Sequence, residues 1–206
     1  MQKGILTVSI FLAVINFSYS QETIDKPKLK LLIDSLYNVD QMVQQDFVIA
    51  FQRGITRDSM NFYEKRQLET FQRHIPIIKT ILNENGYPTY KKVGKESAHN
   101  YFVLVQHSDF DVKFQKKVLP LIKKQVDKKE VAGTDYAYLY DRVQLNSGKE
   151  QLYGTQLAYD KEGNAIAKNL KDKINVNKRR AGYGMSTLEK YLTTNTEIHK
   201  IMNQKN

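Results

Sequence analysis

The strongest constraint on this chain is a long helical stripe near its start. Across residues 26–51, KPKLKLLIDSLYNVDQMVQQDFVIAF, apolar side chains fall at Leu29, Leu32, Ile33, Leu36, Val39, Val43 and Phe47. Steps of three and four place them along one face of an α-helix, without the alternation a half-buried strand shows. A helix of about seven turns hides such a stripe by packing on other elements with apolar faces of their own.

The rest of the sequence supplies those partners. GITRDS (54–59) interrupts the pattern, and Asp58 or Ser59 is expected to cap a second helix that points Phe62, Leu68, Phe71, Ile75, Ile78 and Leu82 inward. NENGYP (83–88) stops it, with Gly86 expected as a left-handed C-terminal residue. A third helix is expected over 95–106. Ser108 and Asp111 have capping-box spacing, and a fourth helix over 110–128 buries Phe114, Val118, Leu121, Ile122 and Val126. TDYAYLYDRVQLN (134–146) reads as a fifth helix ended by Gly148, although its tyrosines at 136, 138 and 140 alternate as they would in a strand. Pro76 and Pro120 fall in mid-helix, where each removes a backbone hydrogen bond.

After Gly148 the chain changes character. EQLYGTQLAY (150–159) and AIAKNL (165–170) flank DKEGN, a pattern that suits a hairpin with a glycine bulge. A short basic helix is expected over 176–182. STLE (186–189) has capping-box spacing before a last helix over 187–202. An isolated hairpin is marginal, so this one must lie against the helices. The expected fold is mainly α: six to seven helices with one late β-hairpin packed on them, in a single domain over 21–206.

Residues 1–20 stand apart. Lys3, the apolar run ILTVSIFLAVINF (5–17) and the small residues of SYS (18–20) have the order of a secretory signal peptide that is removed in the mature protein. An uncleaved anchor is the rival reading, but the run is short for a bilayer core of about 30 Å. The expected location is therefore periplasmic or extracellular, with no transmembrane span after cleavage. The chain has no cysteine, which excludes disulfides and a lipid-anchored lipoprotein. Lys and Arg outnumber Asp and Glu by 32 to 22. Such a balance favours anionic partners, such as a small anion or an envelope component, but the lysines are spread along helix faces as solvating charges usually are. No nucleic-acid motif is present, and no nucleic-acid partner is expected.

The candidate chemistry lies at four places. In QHSD (106–109), His107 near a helix end with Asp109 two residues on can form an oriented acid or base. The structural alternative is a histidine at a helix C-terminus, favoured by the dipole, with Asp109 as a cap. No HExxH or other tight metal spacing occurs, so no metal site is expected. In YLYDR, Asp141 and Arg142 lie among apolar and tyrosine residues, where unpaired burial is costly. They form either a structural ion pair or a site where Arg142 grips an anionic group. Arg179 and Arg180 are a third candidate for phosphate or carboxylate binding, or else part of a solvated charge run. QLYGTQ (151–156) is the fourth, with Gln151, Tyr153, Thr155 and Gln156 as neutral hydrogen-bonding side chains. DQ (40–41) adds a polar pair to an otherwise apolar helix. No GxSxG, Walker loop or dinucleotide fingerprint occurs, and the cofactor is left unknown.

Taken in order, DQ (40–41), NENGYP, VG (93–94), VQHSD, YLYDR, GxxQxYGTQ and RRAGYG (179–184) resemble a bacterial family of uncharacterised function marked by QH-x-D, DR and YGTQ steps. The resemblance implies that the polar candidates belong to one pattern, and it implies no activity. Two functions fit. In an exported enzyme, a hydrolase or group transferase, His107 is the acid or base, Asp109 or Asp141 orients it, and Arg142 and Arg180 hold an anionic group. In a non-catalytic envelope protein, the same groups bind a ligand or brace the fold.

Overall fold

The computed structural model describes residues 25–203; the expected signal peptide lies outside them. The described chain is seven α-helices with a late two-stranded hairpin. In order they are α1 (Lys26–Gln52), α2 (Arg57–Asn85), α3 (Tyr90–Gln106), α4 (Val112–Asp127), α5 (Gly133–Asn146), β1 (Leu157–Tyr159), β2 (Ala165–Ala167), α6 (Val176–Ala181) and α7 (Leu188–Asn203). Single 3-10 turns precede α4 and α6. Among the described residues, no helix is long and apolar enough to cross a membrane.

The core is helix against helix. Leu29, Ile33 and Leu36 of α1 meet Ile78 and Ile81 of α2, Tyr101 and Val105 of α3, Val118 and Ile122 of α4, and Leu139 and Val143 of α5. Every buried member of this cluster lies between Leu29 and Val143. The residues after α5 form a cap joined to the bundle by other means. Pro76 and Pro120 do lie inside α2 and α4.

Several local expectations need correction. Phe62 and Leu68 are exposed on α2, and Val39 on α1, so the inward stripe is narrower than drawn. Thr56, not Asp58 or Ser59, caps α2 by accepting from the Ser59 N–H. Asp111 caps α4 by accepting from the Phe114 N–H, while Ser108 turns back to donate to Leu104 O. Thr187 accepts from the Lys190 N–H at the start of α7, in place of the box on Ser186. Gly86 has positive φ, 63°, but an extended ψ.

The segment 134–146 is helical, and its strand-like pattern has a physical cause. Asp135, Ala137, Leu139, Asp141 and Val143 are buried, and the residues between them are half-buried. A helix covered on most of its circumference loses its single stripe.

The largest correction concerns QLYGTQ, which is not the first strand of the hairpin. Only Leu157–Tyr159 pairs antiparallel with Ala165–Ala167, and Gln151 makes one isolated parallel bridge to Leu170. The N–H groups of Leu152, Tyr153 and Thr155 are bonded to the Asp141 carboxylate instead of a neighbouring strand. The DKEGN turn is as expected: Asp160 accepts from the Glu162 and Asn164 N–H groups, and Gly163 has φ 77°.

Candidate functional site

The polar residues fall into two groups that meet at α5. The first is a cleft; the second is a buried brace.

The cleft begins with Asp40. It sits in the α1 stripe, four residues after Leu36 and three before Val43, so the helix carries its carboxylate into the interior, where it is 1 % exposed. A buried carboxylate requires a donor. His107, at the C-terminal cap of α3, supplies one: its Nδ1 lies 2.8 and 2.9 Å from the two carboxylate oxygens. Gln41 donates to the same carboxylate at 2.9 Å. Phe71 of α2 stacks on the imidazole with ring centres 4.9 Å apart. The ring is thus fixed in plane and in direction.

A neutral imidazole that donates from Nδ1 has its lone pair on Nε2. Nε2 lies 3.4 Å from the Gln44 amide nitrogen, and Gln67 donates to Gln44 Oε1 at 2.6 Å. These side chains line an open cleft of about 520 Å³ together with Leu68, Asp109, Phe110 and Arg142. Arg142 of α5 is ion-paired through Nη1 with Asp109, which also accepts from Asn146 at 3.0 Å and Gln115 at 3.2 Å. Gln115 is fully buried and also donates to the Val105 and Gln106 carbonyls. It ties the end of α3 to α4 and so fixes the QHSD joint. Among the described residues, no hydroxyl, thiol or amine side chain lines the cleft.

The brace is centred on Asp141, which is fully buried. It accepts from the N–H groups of Leu152 (2.8 Å), Tyr153 (3.1 Å) and Thr155 (3.0 Å), and from the Thr155 hydroxyl (3.0 Å). Burial raises its pKa, and these four donors oppose the rise. Arg180, 1 % exposed, donates to Tyr153 O and Ser186 O, both at 2.6 Å, with its guanidinium 4.9 Å from the Tyr191 ring centre. Burial lowers its pKa. Arg179 donates to Leu152 O, Lys171 O and Asp172 O and pairs with Asp172. Gln151 donates to Gln156 O and Lys168 O and accepts from the Gln156 N–H. Gln156 donates to the Thr155 hydroxyl.

The structure therefore brings His107, Asp109 and Arg142 together. It places Asp141, Gln151, Tyr153, Thr155, Gln156, Arg179 and Arg180 in a separate cluster. Asp109 faces Arg142 and Asp141 faces the loop, so neither reaches the imidazole; Asp40 does. Gln44, Gln67 and Phe71 are cleft residues that the sequence motifs did not single out. Asp40 did have a local signal, a carboxylate in register with buried Leu36 and Val43. Among the described residues, no group of three or more histidine or carboxylate side chains is placed to hold a metal ion.

A model of a family of unknown function (DUF6624) matches residues 27–201. No curated protein and no solved structure matches the chain.

Proposed function

The chain belongs to this family of unknown function, so no activity comes to it by kinship, and we propose that it is an exported protein whose open cleft binds a polar ligand and acts on it by acid–base chemistry at His107. The observation that carries this reading is the His107–Asp40 pair. A buried carboxylate on Nδ1 fixes the tautomer and supports positive charge on the ring when Nε2 takes a proton. Nε2 belongs to a ring that lines open space, beside side chains that can orient a ligand.

With no hydroxyl, thiol or amine among the described lining residues, the nucleophile in this reading is water or a group on the ligand. This suits hydrolysis or group transfer on a small molecule or envelope component. Gln44 gives way as the proton acceptor's partner when the ligand enters. Arg142 orients an acceptor group on the ligand, with Asp109 holding the guanidinium in place.

A second reading, binding without turnover, draws on the Gln44 amide that already sits against Nε2. One pair of variants separates the two. His107→Asn keeps an amide donor for Asp40 but has no basic ring nitrogen; Gln44→Ala frees Nε2. The experiment screens sugars, peptidoglycan fragments and phosphate and carboxylate esters for thermal shift and product release. We expect a ligand whose stabilising shift survives in His107→Asn while its turnover falls by about 10²-fold or more. Turnover that persists in His107→Asn rejects catalysis at this ring. A shift without turnover in the unmodified protein selects the binding reading.

A further inference from the structure

A different surface has an assignment of its own. The turn between β2 and α6 presents Ile174 at 95 % exposure, the most exposed of the large apolar side chains on the described surface. Single exposed apolar residues are common and need no explanation. This one differs in how firmly it is held out. Asp172 accepts from the Asn175 N–H and side-chain amide and from Arg179 Nη1 at 2.8 Å. Arg179 also donates to Lys171 O at 2.9 Å, Asp172 O at 2.7 Å and, across to the brace, Leu152 O at 2.8 Å. Two non-glycine residues, Asn169 and Asp172, adopt positive φ of 35° and 47° within this short stretch. Left-handed backbone at such residues costs energy and persists where its surroundings enforce it.

The charge around the tip is one-sided. Residues 168–180, KNLKDKINVNKRR, hold six basic side chains and one acidic one. Lys171 and Lys173 adjoin the tip and are exposed, as are Lys168 and Lys178 further along the segment. The one acid, Asp172, is paired with Arg179. Of the nearby acids outside the segment, Glu150 shares a shallow pocket with Lys149 and Lys171, and Glu189 accepts from Asn177.

We propose that the 171–175 turn is a docking tip for an anionic phospholipid surface. Ile174 enters the headgroup–acyl boundary, and Lys171 and Lys173 meet the lipid phosphates, supported by Lys168 and Lys178. The apolar tip selects lipid over an anionic polymer. An isoleucine gains by leaving water for hydrocarbon and gains nothing from a strand of phosphates or sulfates. Each lysine at the surface adds attraction that falls off with salt. A rigid turn inserts without losing loop freedom.

The test uses the absence of tryptophan from the chain. Ile174→Trp places one reporter at the tip. With vesicles containing phosphatidylglycerol, its emission is expected to shift to the blue and to be quenched by brominated acyl chains. With neutral phosphatidylcholine vesicles neither change is expected. In sedimentation with the anionic vesicles, Ile174→Ser is expected to weaken binding about tenfold, and Lys171→Gln with Lys173→Gln to weaken it by a similar or larger factor. Because every variant carries the same N-terminus, the fold-changes read the tip alone. An unshifted, unquenched reporter with anionic vesicles overturns the proposal. Equal vesicle binding by Ile174→Ser overturns it too. Binding to heparin or DNA that equals vesicle binding, with no shift, assigns the surface to an anionic polymer instead.

Discussion

At the scale of the residue, two buried ionisable groups, Asp141 and His74, and one exposed histidine, His99, set the sharpest expectations. Asp141 satisfies four donors at once. Asp141→Ala leaves three backbone N–H groups without their acceptor and is expected to cost about 3 kcal/mol or more in urea unfolding. Asp141→Asn should recover little of this, because its amide adds donors to a site already made of donors. His74 is buried on α2, and its Nδ1 has no partner among the described residues. Burial lowers its pKa; Asp40 opposes this and Arg73 adds to it. The unfolded chain then binds more protons below about pH 6.5, so stability is full above that value and falls as pH drops towards the lowered native value. His99 has the opposite sign. Its hydrogen bond to Asp135 raises its pKa, so its contribution is full below about pH 6.5 and is lost as pH rises through the raised value. Melting temperatures from pH 5 to 8 should show a shallower acid-side fall in His74→Leu and a smaller loss on the alkaline side in His99→Ala. Identical profiles for both variants and the parent chain would count against these assignments.

At the scale of the element, the helices were legible because their signals are local. The α1 stripe, the proline positions and Gly148 after α5 can all be read within a few turns of chain. The pairs that build the site are separated by far more. Asp40 and His107 meet from α1 and α3, and nothing near either names the other. The QLYGTQ segment differs from its expected strand for the same reason: the DKEGN turn signal beside it is real, but its N–H groups go to a carboxylate on the preceding helix. Asp141 draws the segment into a loop, and Gly154 lets it turn, with φ 70°. A Cβ at Gly154 would also lie 2.8 Å from a Leu188 methyl. Gly154→Ala should therefore cost about 1–2 kcal/mol from backbone strain alone, read from the chemical denaturation midpoint. The helix–strand ambiguity of α5 was informative too, since it came from a helix buried on most sides.

At the scale of the molecule, the chain has an apolar bundle and a cap fixed by polar contacts and tyrosine ring pairs. The bundle core ends at Val143. The later residues hold to it through Asp141 and through ring pairs of α5 with the cap, Tyr136 with Tyr183, Tyr138 with Tyr191 and Tyr140 with Tyr153. They hold to each other through Arg180, Gln151 and the contacts of α7 on the hairpin, including Thr196 to the Ala165 N–H and Tyr191 to Thr155 O. Core and cap should then open separately. In native-state hydrogen exchange, Arg180→Ala is expected to speed exchange across 149–203 while α1 to α5 stay protected. Ile33→Ala, a cavity in the bundle, should cost about 2–5 kcal/mol and lower protection in both parts. Uniform loss in the Arg180 variant would instead mean one cooperative unit. The two halves meet at consecutive residues of α5, where Asp141 faces the cap and Arg142 the cleft. One added or deleted residue between Gly133 and Asp141 would rotate both side chains by about 100° relative to the upstream helix, taking the carboxylate from its loop and the guanidinium from Asp109 in one stroke. The frame of α5 is thus a shared coordinate: a change of length can be absorbed in the surface turns, but a single insertion in this helix ahead of Asp141 misplaces both sides together.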